Sequence, residues 1–253
     1  MLIDTHAHLN FPAYKVDAQK VIDRTLKKDV WMINIGTNYH TSKKAVEISQ
    51  KYKKGIYATV GLHPIYAQDG FDDKKYKQLA QNSNVVAIGE IGLDYKKEYL
   101  SFKKEQEILF LKQIKLAQEL KLPIIFHCRM AHQDLINFLI LNNKNQKPKL
   151  KGVIHCFTGN LEEAKKYLEM GFYLGFNGLI FKLNFDNIIK SMPLEKILIE
   201  TDCPYLTPLQ EGNKRNEPLF IKYIVEKIAK IKNIDSEKVA KIVTKNAKTL
   251  FKI

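Results

Sequence analysis

The chain has 253 residues, of which 45% are hydrophobic and 27% are charged, and its formal net charge is +14. This length is sufficient to bury a full core, and no apolar run approaches the roughly 18 residues that span a membrane. We also expect no signal peptide, because polar residues such as Asp4 and His6 stand where its apolar stretch would be. We therefore expect a cytoplasmic protein without a membrane partner.

The positive charge favours an acidic partner such as nucleic acid. However, only Arg24, Arg129 and Arg215 among the 41 basic residues are arginine, and lysine supplies the rest. A coding bias towards lysine explains such a skew as well as selection for phosphate binding does. The charge alone therefore does not establish a nucleic-acid substrate, and each arginine becomes more informative.

Apolar runs rich in β-branched residues predict eight strands, at residues 2–4, 30–35, 56–61, 85–91, 123–127, 152–156, 172–176 and 197–201. Segments of helical period lie between or after them, including residues 17–28, 103–121, 160–170, 221–232 and 235–251. Most strands are continuous apolar runs, as in a parallel sheet that is covered on both faces. This alternation predicts a closed (β/α)8 TIM barrel in the α/β class, with residues 1–253 as a single domain. An open doubly wound sheet is the alternative.

Two smaller features accompany this pattern. The Lys/Asn-rich residues 142–151 predict a loop before the sixth strand. Cys128, Cys156 and Cys203 form no C-x-x-C pair, and each directly follows a polar residue at a strand end. Strand alternation turns such thiols outward towards the helices, so we expect buried cysteines without catalytic roles.

Ionisable residues recur at the carboxyl ends of six predicted strands. They are His6 and His8 on the first, His63 on the third, Glu90 and Asp94 on the fourth, His127 on the fifth, His155 on the sixth and Asp202 on the eighth. Active sites of such barrels are built at this end, and an ionisable group in an apolar strand is costly unless it is paired or metal-bound. The set therefore predicts a metal centre.

Single members of this set are also compatible with ordinary structural roles. His63 could donate to a backbone carbonyl, and Asp202 could cap a turn. His6 and His8 are better placed as a pair, because residues i and i+2 of a strand share a face. His40 and His132 fall at a helix entrance and just inside a helix, so surface roles are expected for both.

Six motifs, DTHAHLNF, GLHP, IGEIGLDY, FHCR, HCFTGN and ETDCPYLTP followed by KRNEP, run in this order from residue 4 to residue 218. Together they resemble the TatD-type metal-dependent deoxyribonucleases, which are amidohydrolase-like barrels. The resemblance implies a site for two divalent ions, and mixed histidine and carboxylate ligands suit Zn, Mn or Fe and, less well, Mg. It assigns His6, His8 and Asp202 to one ion and His127 and His155 to the other, with Glu90 as the bridge. The implied activity is hydrolysis of DNA phosphodiester bonds, often from the 3′ end.

The residues are chemically suited to that reaction. Two ions about 3.5–4 Å apart can clamp a phosphodiester. Asp202 and Glu90 are expected to be catalytic. Asp202 is the carboxylate that is expected to take a proton from the attacking water. Arg129 is expected to bind a phosphate group. His63, Asp94, Lys214 and Arg215 complete the expected substrate contacts, with DNA or RNA as substrate and a monomer as the working form.

The sequence departs from the pattern of the family at three places. Ile65 stands where a second histidine usually follows GxHP, and Met130 stands where many members have Asp. Glu211 and Gly212 replace a His-Arg pair before KRNEP. No expected metal ligand is lost, so these departures bear on the substrate more than on the reaction type.

Two alternatives remain at this point. One is an amidohydrolase that cleaves a C–N or ester bond in a small molecule or an aminoacyl-tRNA, but such enzymes often bridge their metals with a modified lysine where this chain has Glu90. The other is a nucleic-acid-binding protein without catalysis, which would leave the ligand set unexplained.

Overall fold

The computed structural model describes residues 1–144 and 149–253. Eight parallel strands pair in chain order. They are β1 (Leu2–Ala7), β2 (Val30–Asn34), β3 (Ile56–Val60), β4 (Val85–Asp94), β5 (Ile124–Arg129), β6 (Gly152–Ile154), β7 (Tyr173–Phe176) and β8 (Ile197–Ile199). The segment after β8 returns to β1, where the amide of Asp202 donates to the His6 carbonyl at 2.8 Å and that of His8 donates to the Cys203 carbonyl at 2.9 Å. The predicted (β/α)8 barrel is therefore confirmed.

Helices alternate with these strands. They are α1 (Ala18–Leu26), α2 (Tyr39–Ser49), α3 (Asp73–Ala80), α4 (Lys103–Leu120), α5 (His132–Lys144), α6 (Leu161–Glu169), α7 (Asp186–Ser191), α8 (Ile221–Lys232) and α9 (Ser236–Phe251). The five helical segments that the sequence predicts agree to within two residues at each end. None of the helices in the two described ranges is long and apolar enough to cross a membrane.

The loop prediction for residues 142–151 is partly wrong. Residues 142–144 belong to α5, and residues 145–148 lie outside the described residues. The side-chain amide of Asn142 donates to the Phe138 carbonyl one turn earlier, at 2.8 Å. This bond keeps an asparagine, normally a poor helix former, inside the helix.

The strands differ in length in a way that shapes the carboxyl end of the barrel. β4 and β5 are longer than predicted and pair from Ile88 with Ile124 up to Asp94 with Arg129. β6 and β8 are shorter, and Cys156 and Asp202 adopt positive φ angles of 45° and 55°. A left-handed residue cannot continue a strand, so the chain turns at both places. Arg129 therefore extends from a strand, whereas His155 and Asp202 lie on the turns beyond strands.

The opposite end of the barrel is filled by apolar side chains. Ile3, Ile33, Ile125 and Leu198 form one buried cluster with the last turns of α9. α9 also bonds to the start of β1, where the Thr244 hydroxyl donates to the Met1 carbonyl at 3.2 Å. A packed amino end leaves the carboxyl end as the open face of the barrel.

The cysteines are only partly as predicted. Cys128 and Cys203 are buried, with 4% and 0% of their surface exposed, whereas Cys156 is half-buried beyond the end of β6. The buried position predicted for Cys156 is therefore wrong, because alternation does not extend past a strand end. Burial raises the pKa of each of these thiols to about 12. They are therefore protonated at neutral pH, which argues against a thiolate nucleophile.

The burial of the three cysteines predicts how much each contributes to stability. Replacing Cys128 or Cys203 by Ala should lower the free energy of unfolding by about 1–2 kcal/mol, because each change leaves a small cavity in a closed core. Cys156→Ala is the matched control, and its effect should be less than half as large. Urea denaturation followed by circular dichroism measures all three variants. A Cys156→Ala loss equal to the other two would contradict this account.

Candidate metal centre

Nitrogen and oxygen atoms of seven side chains meet at the carboxyl end of the barrel. Three sets have ligand atoms within 4.8 Å of one another: His6, His8 and Asp202; His6, Glu90 and His155; and His63, Glu90 and His127. Six of them come from the ends of β1, β3, β5, β6 and β8 or from the residues just beyond, and Glu90 comes from within β4. Parallel strands bring their carboxyl ends to one rim, which is why residues so distant in the chain become neighbours.

Glu90 lies between two groups of imidazoles and is 4% exposed. Its Oε2 is 3.4 Å from His6 Nε2. Its Oε1 is 2.6 Å from His127 Nδ1, 3.2 Å from His155 Nε2 and 3.5 Å from His63 Nε2. The two oxygens therefore face different groups, which is the arrangement of a carboxylate that can bridge two cations.

His6, His8 and Asp202 form the first group. The Nε2 atoms of His6 and His8 are 3.2 Å apart, and Asp202 Oδ1 is 3.3 Å from His8 Nε2. His8 Nδ1 lies 3.2 Å from the Ile35 carbonyl, which can only accept, so in the neutral ring Nδ1 carries the proton. The lone pair of His8 Nε2 then points into the group. A cation shared with His6 and Asp202 fits this donor set.

His127 and His155 form the second group with Glu90, and a further carboxylate holds each ring from its other side. Asp94 Oδ2 lies 3.1 Å from His127 Nε2, and Glu200 Oε1 lies 3.0 Å from His155 Nδ1. Such partners orient an imidazole and increase its basicity as a metal ligand. Although burial lowers it, the pKa of His155 is well above its usual value because of Glu200 and Glu90. A cation on the Glu90 side would replace that proton.

The two central carboxylates are ionised at neutral pH. Burial raises the pKa of Glu90, but the neighbouring His155, His63 and His6 outweigh it and hold this pKa well below the usual range. The pKa of Asp202 is also lowered, since a hydrogen bond with His8 and the charges of His155 and His6 outweigh its burial. Buried negative charge surrounded by imidazoles is the environment that a divalent cation stabilises.

Sequence reasoning missed Glu200. It is 1% exposed and accepts from the Cys156 amide at 2.7 Å and from Asn177 Nδ2 at 3.0 Å, besides its contact with His155. It directly follows the apolar β8, so the strand-end criterion that found Asp202 could also have found it. Its other oxygen, Oε2, is buried without a partner among the described residues.

Asp4 does not face the metal groups with His6 and His8. Its Oδ1 accepts from the Thr201 amide at 2.9 Å and from the His6 amide at 3.2 Å. Burial raises the pKa of Asp4 to about 8. Asp4 therefore links β1 to the segment after β8, and this link helps to hold His6 and Asp202 in place.

The remaining predicted site residues divide into two sets. His63 and Asp94 are buried beside Glu90 and His127, and Arg129 is exposed at the rim of the cavity. Lys214 instead donates to Glu211 Oε2 at 2.8 Å, and Arg215 donates to Asp17 Oδ1 at 3.0 Å. Both cations are thus engaged within the loops after β8 and β1, and their role in phosphate binding stays a prediction.

The two other histidines differ from each other. His40 is exposed at the start of α2, as expected. His132 is only 8% exposed, and its Nδ1 lies 3.1 Å from the Tyr167 hydroxyl. The surface role predicted for His132 is wrong, because the first turn of α5 faces α6 and not solvent.

Comparison with known proteins gives a consistent result. The family described as TatD related DNase matches residues 3–252. The uncharacterized metal-dependent hydrolase YabD of Bacillus subtilis is 41% identical over 100% of both chains. The 3′-5′ ssDNA/RNA exonuclease TatD of Pantoea ananatis is 34% identical over 99% of both. Among solved structures, the TatD homologue YJJV of Escherichia coli superposes with a TM-score of 0.90 at 27% identity, over 100% of this chain and 98% of that one.

Proposed function

The chain belongs to the family of TatD related DNases, which are metal-dependent hydrolases of phosphodiester bonds, and on that premise we propose that it is a 3′–5′ exonuclease of single-stranded DNA or RNA. The observation that carries the proposal is Glu90, whose two oxygens face two separate groups of imidazoles. A second candidate, cleavage of a C–N bond, lacks a supporting feature, since a glutamate and not a modified lysine occupies the bridging position.

We propose that the centre holds two divalent ions. His6, His8 and Asp202 would bind one, His127 and His155 the other, and Glu90 both, with His63 close enough to complete the second set. When bound, the ions would supply Lewis-acid charge to the scissile phosphate. Mixed imidazole and carboxylate ligands suit Zn, Mn or Fe, and suit Mg less well.

The protein groups would carry out the remaining steps. Asp202 takes the proton of the attacking water, because its side chain is ionised and still 16% exposed to the cavity. Arg129 places its guanidinium fork on a non-bridging phosphate oxygen. Glu200 and Asp94 orient the imidazole rings of His155 and His127 for metal binding.

We expect the purified protein to bind about two divalent ions per chain and to shorten a 5′-labelled single strand from its 3′ end. Elemental analysis after mild dialysis measures the ions. Gel analysis of labelled single-stranded DNA, duplex DNA and RNA, with and without chelator, measures the cleavage. Phosphorothioate linkages at the 3′ end should block digestion, whereas the same linkages at the 5′ end serve as the control. The proposal would be contradicted if the protein retained no ions after incubation with metal. It would also be contradicted if only the phosphorothioate linkages at the 5′ end blocked digestion.

A further inference from the structure

The candidate centre opens into two cavities, and one of them has no role in the chemistry above. Resting on the proposed nuclease function, we propose that this second cavity is a nucleoside pocket that binds the base of the 3′-terminal nucleotide. The first cavity would then receive the strand that continues from the scissile phosphate.

The two cavities share a wall that contains the proposed reaction centre. His127, Arg129, His155 and Asp202 line both of them. The first has a volume of about 330 Å³. Its other walls are the carboxyl ends of strands β1 to β4, the loops that follow these strands, and Tyr205. The second has a volume of about 570 Å³ and is bordered by the loops after β5 to β8. A phosphate held at the shared wall therefore has one space on each side, as a phosphodiester between two nucleotides requires.

The second cavity has the composition of a pocket for a flat, largely apolar group. Met130, Leu179 and Leu206 come from the loops after β5, β7 and β8 and supply its apolar surface. Two polar groups face each other in it, since the Thr158 hydroxyl lies 3.5 Å from His132 Nε2. Apolar walls with few polar groups are typical of small-ligand sites, in which the polar groups fix the orientation of the ligand.

Met130 is the side chain that most clearly requires an explanation. It is 74% exposed, although methionine is an apolar residue, and it stands at the edge of the cavity with a φ angle of 55°. The left-handed backbone turns the chain directly after β5, next to Arg129. A base in the second cavity would cover this side chain while the adjacent arginine contacts the phosphate. The two neighbours would thus bind the two parts of one nucleotide.

The first cavity is suited to a strand that continues. Its aromatic residues are Phe11, Tyr66, Tyr99 and Tyr205. Tyr205 is 55% exposed, so a base that stacks on it still leaves a path to solvent for the next nucleotide. Successive aromatic platforms are how proteins hold single strands without reading their sequence. The terminal nucleotide, which needs no such path, is accordingly assigned to the second cavity.

The test uses three 5′-labelled oligonucleotides of one sequence, which carry an abasic residue at the 3′-terminal position, at the penultimate position or nowhere. For the wild-type protein, kcat/KM for the first cleavage should fall about tenfold when the terminal base is missing. The terminal ratio is kcat/KM for the intact oligonucleotide divided by kcat/KM for the one that lacks the terminal base. Met130→Ala should reduce the terminal ratio to about twofold, and Met130→Leu should retain it. Because Met130 is largely exposed, neither change removes core packing.

Tyr205→Ala is the matched variant in the first cavity. It should leave the terminal ratio as it is and reduce the effect of the penultimate base. Equal cleavage of all three oligonucleotides by the wild type would overturn the pocket while leaving the nuclease in place. A change of the penultimate ratio by Met130→Ala would overturn it as well. Absence of metal-dependent cleavage of every oligonucleotide would overturn the pocket together with the proposed function.

Discussion

Asp202→Asn should lower kcat by about a hundredfold or more, which is the usual scale for a general acid–base group. The amide keeps the size of the side chain and one oxygen near His8, but it cannot take the proton of the attacking water. Binding of a single-stranded oligonucleotide should change little, because we expect phosphate affinity to rest on cationic side chains such as Arg129. Single-turnover cleavage and fluorescence anisotropy on the same oligonucleotide measure the two quantities.

Arg129→Ala is the comparison variant for this prediction, and it should show the opposite bias. The loss of an exposed cation at the rim of the cavity should weaken binding and flatten its dependence on salt concentration. Anisotropy across a salt series measures that slope. Cleavage by Asp202→Asn at the wild-type rate, with the protein free of contaminating nuclease, would show that Asp202 is not the base.

Glu90→Gln should have the largest effect, with activity reduced about a thousandfold or more and metal content below one ion per chain. Glu90 is the only described carboxylate whose oxygens face both groups of histidines, so its replacement would remove one proposed ligand from each of the two proposed ions. Elemental analysis and the cleavage assay measure the two effects. Glu47→Gln, the same chemical change on the exposed surface of α2, is the control and should match the wild type. Full metal content in Glu90→Gln would contradict the bridging role.

For Glu90→Gln we also predict how stability depends on pH in the metal-free protein. The pKa of Glu90 is well below its usual value in the folded state, so its ionised form contributes stability above the unfolded pKa of about 4.3. That contribution is lost as the pH falls towards the folded pKa. Metal-free Glu90→Gln should therefore lose less stability than the metal-free wild type between about pH 5 and pH 3. Thermal unfolding across this range measures the difference.

The proposed ligands can be predicted from the sequence because each strand carries a local signal. An apolar β-branched run that ends in His or Asp is a local pattern, and the βα alternation implies that all such ends meet at one rim. His6, His127 and Asp202 follow from this signal alone. Glu200 carries the same signal, because it directly follows the apolar β8 and stands two residues before Asp202.

Other features required the tertiary structure, since no local pattern encodes them. Arg215 is paired with Asp17, at a separation of 198 residues, because the loops after β8 and β1 become neighbours only when the barrel closes. Cys156 is half-buried because β6 stops two residues earlier, at a turn with a positive φ angle. The division of the site into two cavities likewise depends on how eight loops pack against one another. Strand periodicity therefore determined which residues reach the rim, whereas barrel closure and loop packing, which act between distant segments, decided what each residue contacts there.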